Sequence, residues 1–142
     1  MPLGNGDLVA MAWANATSGG LGCYIRKADA MSGSTELLTL GLLQVALSPN
    51  PFEDGDYFNQ TLQLATASVV ILAGGTSLAD HRVRLEIWAD ANHNVLRLAA
   101  AAAAAGSGTK YSLRADLTPI RPLGISDDDG ASTGTGTCKV GA

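Results

Sequence analysis

In the stretch Arg82-Val83-Arg84-Leu85-Glu86-Ile87-Trp88 apolar and charged residues alternate one by one. Only an extended strand, whose side chains point to opposite faces in turn, sorts such a sequence into one apolar and one polar face. Val83, Leu85 and Ile87 then share a face, and Arg82, Arg84 and Glu86 share the other. Strict alternation places Trp88 with the charged set, whereas a bend at Ala89-Asp90 would turn it inward. The same period of two recurs along the chain. Leu8 to Ala14 is a near-continuous apolar run, as expected of a strand buried on both faces. Leu21 to Arg26 follows the turn signal Ser18-Gly19-Gly20 and reads as the second arm of a hairpin. Leu37 to Ser48 is long and stops at Pro49-Asn50-Pro51, through which neither helix nor strand continues. Further runs start at Phe58, Ser68 and Val95, and Tyr111 to Leu117 alternates again before Pro119 and Pro122.

The pattern gives about eight short strands over residues 7 to 118, with turn signals between them. That is an all-β antiparallel sandwich rather than a βαβ fold. Hydrophobic residues make up 46% of the chain and charged residues 15%, enough for a packed core. The run Ala99 to Ala105 is in conflict with the rest, because alanine is the best helix former. Its seven residues are too few for an independent helix, and Val95-Leu96-Arg97-Leu98 reads as strand, so strand is the expectation. Two regions follow: a sandwich domain over 1–122 and a disordered, Gly/Ser/Thr/Asp-rich tail over 123–142.

Thirteen Asp and Glu against nine Lys and Arg give a net charge of -4, which argues against nucleic acid as a partner. No apolar run reaches the roughly 18 residues of a spanning helix, so no membrane partner is expected. Met1-Pro2-Leu3-Gly4 lacks the basic and apolar regions of a signal peptide. Cys23 and Cys138 are too few for a disulfide scaffold; they could pair in an oxidising compartment, but Cys23 reads as a buried strand residue and Cys138 as a free thiol. No metal site and no cofactor are expected. His81 and His93 are the only histidines, without HxH or HExxH spacing, and Asp127-Asp128-Asp129-Gly130 lacks the alternating ligands of a calcium loop.

The residues able to touch a ligand are few. Asn5 and Asp7 lie in a glycine-bracketed loop where backbone can come close to a ligand, or which is simply a tight turn. Lys27 and Asp29 could bind sugar hydroxyls while Trp13 or Tyr24 stacks on a ring; the bland reading makes the two aromatics core residues and Asp29 a turn cap. Trp88 is either an exposed platform or core. Asp90, Asn92 and His93 read as a turn. Asn15-Ala16-Thr17 and Asn59-Gln60-Thr61 are glycosylation sequons at Asn15 and Asn59. No nucleophile–base constellation is visible, so no catalytic residue is assigned and the chain alone is not read as an enzyme.

Pro2-Leu3-Gly4-Asn5-Gly6-Asp7-Leu8, opening a strand that reaches Trp13, resembles the start of the N-terminal β-sandwich of glycoside hydrolase family 95 and its relatives. The stretch also resembles the domain of unknown function 5703, whose members are similar to that family. The resemblance continues through Tyr24-Ile25-Arg26-Lys27-Ala28-Asp29-Ala30, Leu40-Gly41, Leu47-Ser48-Pro49-Asn50-Pro51-Phe52, Phe58-Asn59-Gln60-Thr61-Leu62 and Trp88-Ala89-Asp90-Ala91-Asn92-His93, covering residues 1 to about 122. The resemblance implies a super-sandwich domain standing before an (α/α)6 barrel that carries the catalytic groups. It implies a chain that is a fragment, a truncated gene model or a degenerate paralogue, since no barrel follows and relatives have a further segment before the first motif. Relatives are largely exported. The expected function is that of a non-catalytic domain of a carbohydrate-active protein, with carbohydrate and the absent barrel as partners. The alternative is a free-standing carbohydrate-binding or protein-interaction module.

Overall fold

The structure, a computed structural model, describes residues 1–31, 36–52, 57–76, 82–102 and 110–120, together with the backbone of 137–138. The described residues form strands and no helix. In chain order the strands are β1 (Pro2–Gly4), β2 (Leu8–Asn15), β3 (Gly20–Met31), β4 (Leu37–Ser48), β5 (Phe58–Gln63), β6 (Ser68–Ala73), β7 (Val83–Ala89), β8 (Leu96–Ala102), β9 (Ser112–Pro119) and β10 (Thr137–Cys138). They build two antiparallel sheets, one in the order β1-β2-β3-β4-β9-β10 and the other β5-β6-β7-β8. Apart from β10, the tail expected over 123–142 lies outside the described residues.

Turn chemistry sets the hairpins. Between β2 and β3, Gly19 takes a positive φ of 69°, which a residue with a side chain seldom adopts. The Asn15 side chain accepts a hydrogen bond from the Ser18 amide across the same turn. β4 ends where the sequence places its stop, at the cis Ser48–Pro49 bond. β8 resolves the alanine conflict in favour of strand: Ala99 to Ala102 pair with Glu86, Arg84 and their neighbours on β7. An unpaired β7 edge would leave a row of backbone donors and acceptors unsatisfied, and that outweighs a modest helix propensity. Ala103 to Ala105 lie outside the described residues.

The core lies between the sheets. Ala10, Ala12, Leu21, Cys23 and Val45 come from the larger sheet, and Val69, Ile71, Leu85 and Ile87 from the smaller. β1 and β2 rest on β7 at one side. At the other side Ala100 and Ala102 of β8 are too short to fill the gap to Leu47, Leu113 and Ala115, and a cleft of about 730 Å³ opens there.

Three expectations need correction. The strands are expected to begin at residue 7, but Pro2 to Gly4 already form one, β1, which pairs with Val9 to Met11. β2 is not buried on both faces. Leu8, Ala10 and Ala12 point into the sandwich, whereas Val9 and Met11 are 39% and 48% exposed, because among the described residues only one face of the sheet has a second layer against it. Trp13 shares the parity of Val9 and Met11, so it and its neighbour Tyr24 lie on the outer face and not in the core.

Candidate functional site

The β1–β2 turn and the β7–β8 turn meet at one corner of the sandwich, and Asn5 joins them. Its side-chain amide donates to the Asp90 carbonyl at 2.8 Å and the His93 carbonyl at 3.1 Å. Its side-chain oxygen accepts from the Leu8 amide at 2.8 Å and the Asp7 amide at 3.1 Å, closing its own turn. Gly6, with φ of 98°, gives that turn its left-handed residue. Asn94 donates its amide to Asp7, adding a second tie between the turns. Asn5 thus binds backbone of its own chain, as the tight-turn reading expects.

Asp7 continues the corner toward β3. Its carboxylate lies 3.4 Å from the Lys27 ammonium, which in turn contacts Asp29 at 2.5 Å. The hydrogen bond to Asp29 raises the pKa of Lys27 and lowers that of Asp29. Four of the six residues proposed as ligand contacts, Asn5, Asp7, Lys27 and Asp29, therefore gather in one place.

Asp90 anchors the other turn. One carboxylate oxygen accepts from the Asn92 amide at 3.0 Å, the His93 amide at 3.2 Å and His93 Nδ1 at 3.1 Å. The other accepts from Arg97 at 2.8–2.9 Å. The Asn92 amide, then Arg97 and His93, hold this carboxyl well below the usual carboxylate range. A carboxylate so stabilised is a weak base and stays charged near neutrality, the reverse of what proton transfer asks. The expected Asp90–Asn94 turn is present, held by Asp90, Asn5 and Asn94. Among the described residues no group of His, Cys, Asp and Glu could hold a metal ion.

The two tryptophans stand elsewhere. Trp13 lies on the outer face of the larger sheet, over Gly22, its cross-strand partner. A Cβ at Gly22 would come within 2.4 Å of the indole. Tyr24, 42% exposed, packs against it with ring centroids 4.9 Å apart and planes tilted by 43°. Trp88 keeps the alternation of β7, pairing in register with Ser68 and Arg97, and is half-buried on the outer face of the smaller sheet with Arg84 and Glu86. No bulge turns it inward. Beside it the Ser68 hydroxyl donates to Glu86 at 2.8 Å and Arg84 binds the same carboxylate at 2.6 Å, which together keep Glu86 below its ordinary pKa.

The sequons fall at different places. Asn15 ends β2 and serves its turn; Asn59 lies within β5, where its side-chain oxygen accepts from Thr61 at 2.6 Å. Sequence reasoning passed over Gln60, in the middle of the second sequon. Met1 carries the backbone pairing of this edge to Ala12, and beyond it Gln60 reaches from the opposite sheet, accepting from the Ala14 amide at 2.8 Å. Cys23 is a buried free thiol, as expected; the side chain of Cys138 and the whole of His81 lie outside the described residues.

These features define an antiparallel β-sandwich domain whose polar corner is built from the motifs at its two ends. Residues 1–120 match the N-terminal domain family described as domain of unknown function (DUF5703), and the chain belongs to that family. No curated protein and no solved structure matches it.

Proposed function

We propose that the chain is the non-catalytic N-terminal β-sandwich of a glycoside-hydrolase-like, carbohydrate-active protein, standing against an (α/α)6 barrel that carries the catalysis. The observation behind this reading is the corner itself. The motifs Pro2-Leu3-Gly4-Asn5-Gly6-Asp7 and Trp88-Ala89-Asp90-Ala91-Asn92-His93, which carry the resemblance to glycoside hydrolase family 95, lie 85 residues apart in sequence at Asn5 and Asp90 yet are hydrogen-bonded to each other. Their carboxylates are occupied in holding turns: Asp7 with Lys27 and Asn94, Asp90 with Arg97 and three donors of its own turn. Such an arrangement stiffens a surface for a neighbour and leaves no acid–base pair to work on a glycosidic bond.

Two measurements test this. The isolated chain, offered a set of nitrophenyl glycosides, releases no nitrophenol above a heat-treated control. Release that scales with chain concentration and is lost in Asp7→Asn or Asp29→Asn overturns the non-catalytic role. The transcript beyond codon 142 continues in frame into a segment of helical period. An in-frame stop there overturns the barrel and leaves the free-standing module, the second reading, which the outward-facing pair of exposed Tyr24 and half-buried Trp13 favours.

A further inference from the structure

We infer that the outer face of the larger sheet carries a small carbohydrate-binding platform centred on Trp13 and Tyr24, separate from the polar corner. The inference rests on the carbohydrate-active part of the reading above and gives that part a site. Trp13 and Tyr24 are diagonal neighbours across the β2–β3 pair, since Trp13 is opposite Gly22 and Tyr24 opposite Met11. The glycine is what lays the indole down: with no Cβ at position 22, the ring occupies that space and lies over the strand instead of standing up from it. Exposed Tyr24 then leans against the half-buried indole at 43°, and the two rings make a shallow aromatic corner on the outer face.

The surroundings fit a saccharide better than a protein. A depression of about 190 Å³, formed by Pro2, Val9, Met11, Tyr24 and Arg26, lies beside the ring pair. It is smaller than the roughly 300–1,000 Å³ of drug-sized pockets, and suits a single small ring. Polar groups flank it: Arg26, held by Thr39 at 3.0 Å, sits beyond Val9, and exposed Gln44 is the cross-strand partner of Gly22 on the far side of the indole. A sugar presents both an apolar face for stacking and a rim of hydroxyls for amide and guanidinium donors. Farther across the face, Arg114, Asp116 and Thr118 on β9 are polar. Leu42, the β4 partner of Tyr24, adds to the apolar patch, which with Val9, Met11, Trp13 and Tyr24 is still a handful of side chains, well short of the roughly 20–30 residues a side of a stable protein interface.

The test is a glycan array of immobilised neutral and acidic oligosaccharides, probed with the labelled chain, Tyr24→Ala, Trp13→Phe and Trp88→Ala. Wild type binds at least one oligosaccharide class. Tyr24→Ala, a change at an exposed residue with little effect on folding, weakens that binding about tenfold, equivalent to about 1.4 kcal/mol, in the range of an aromatic contact. Trp13→Phe weakens it less, and Trp88→Ala leaves it unchanged. Sedimentation of wild type and Tyr24→Ala at the same concentrations gives monomers for both. No binding anywhere on the array, binding indifferent to Tyr24→Ala, or a wild-type dimer that Tyr24→Ala dissociates would each overturn the platform. None of these outcomes bears on nitrophenol release or on the transcript, so the platform and the accessory role fail separately.

Discussion

Asn5 is the residue whose removal the structure makes easiest to price. Asn5→Ala deletes two bonds to carbonyls of the β7–β8 turn and two from amides of its own turn. Each such bond contributes about 0.5–1.5 kcal/mol net. Asn5 is partly exposed, so water can reach the released groups, and the loss falls well below the sum of four bonds. About 2 kcal/mol is expected, or a fall in midpoint of roughly 8 °C for a domain of this size. Asn5→Asp separates the two halves. It keeps the oxygen that accepts from Leu8 and Asp7 but replaces the donor to Asp90 and His93 with a second oxygen facing their carbonyls. If the tie between the turns matters more than the turn itself, Asn5→Asp is as unstable as Asn5→Ala. Urea unfolding at pH 7 measures both, and hydrogen exchange at the Leu8 amide reports whether the local turn survives in Asn5→Asp. An Asn5→Ala protein within about 0.5 kcal/mol of wild type, the range of an ordinary surface change, would refute the reasoning.

Acid should weaken the same corner. Asp90 has a folded pKa depressed from 3.8, so its contribution is present above the ordinary carboxylate range and is lost as pH falls through and below it. Glu86 and Asp29 act in the same direction. Urea midpoints measured from pH 7 to pH 3 therefore drop on the acid side, and less steeply in Asp90→Asn; parallel profiles would contradict this. Burial pushes the Cys23 thiol up to about 11, so peptide mapping after iodoacetamide treatment at pH 8 finds Cys23 unmodified until denaturant is added. Gly22→Ala drives a Cβ to within 2.4 Å of the Trp13 ring. It should cost about 1–3 kcal/mol and shift Trp13 emission to the red in a Trp88→Phe background; unchanged emission would mean that the indole does not lie there.

The strands were legible where side-chain period and turn chemistry agreed. Val83 to Trp88 kept its alternation to the last residue, and Ser48-Pro49 ended β4. The sheets themselves were harder to read. Leu8 to Ala14 is apolar at every position, and a period of two cannot tell a strand covered on both sides from one with an uncovered apolar face. Which it is depends on whether a layer lies over Val9 and Met11, and that is a property of topology, settled by residues dozens of positions away. Pro2 to Gly4 was passed over for a related reason. Three residues carry no period, and β1 exists only because β2 offers an edge for it to pair with.

The candidate site divides along the same line. Asn5, Asp7, Asp90 and His93 stood out in the sequence because they sit in short motifs between strands, and the structure brings both motifs to one corner. What the motifs could not disclose is direction. Asn5 donates to chain backbone and Asp90 accepts from its own turn and from Arg97, which agrees with the turn reading of both. Trp13 shows the converse. Inside an all-apolar strand it looked like core, and the residue that decides otherwise is Gly22, nine positions on and opposite it in the hairpin. A glycine facing a tryptophan across two strands leaves room for the indole to lie flat on the outside of the sheet. The hairpin register, set by the four residues between Asn15 and Gly20, is what places Gly22 under Trp13, and the turn signal Ser18-Gly19-Gly20 alone does not fix that loop length. Nor does it tell which face of the sheet the second layer will cover.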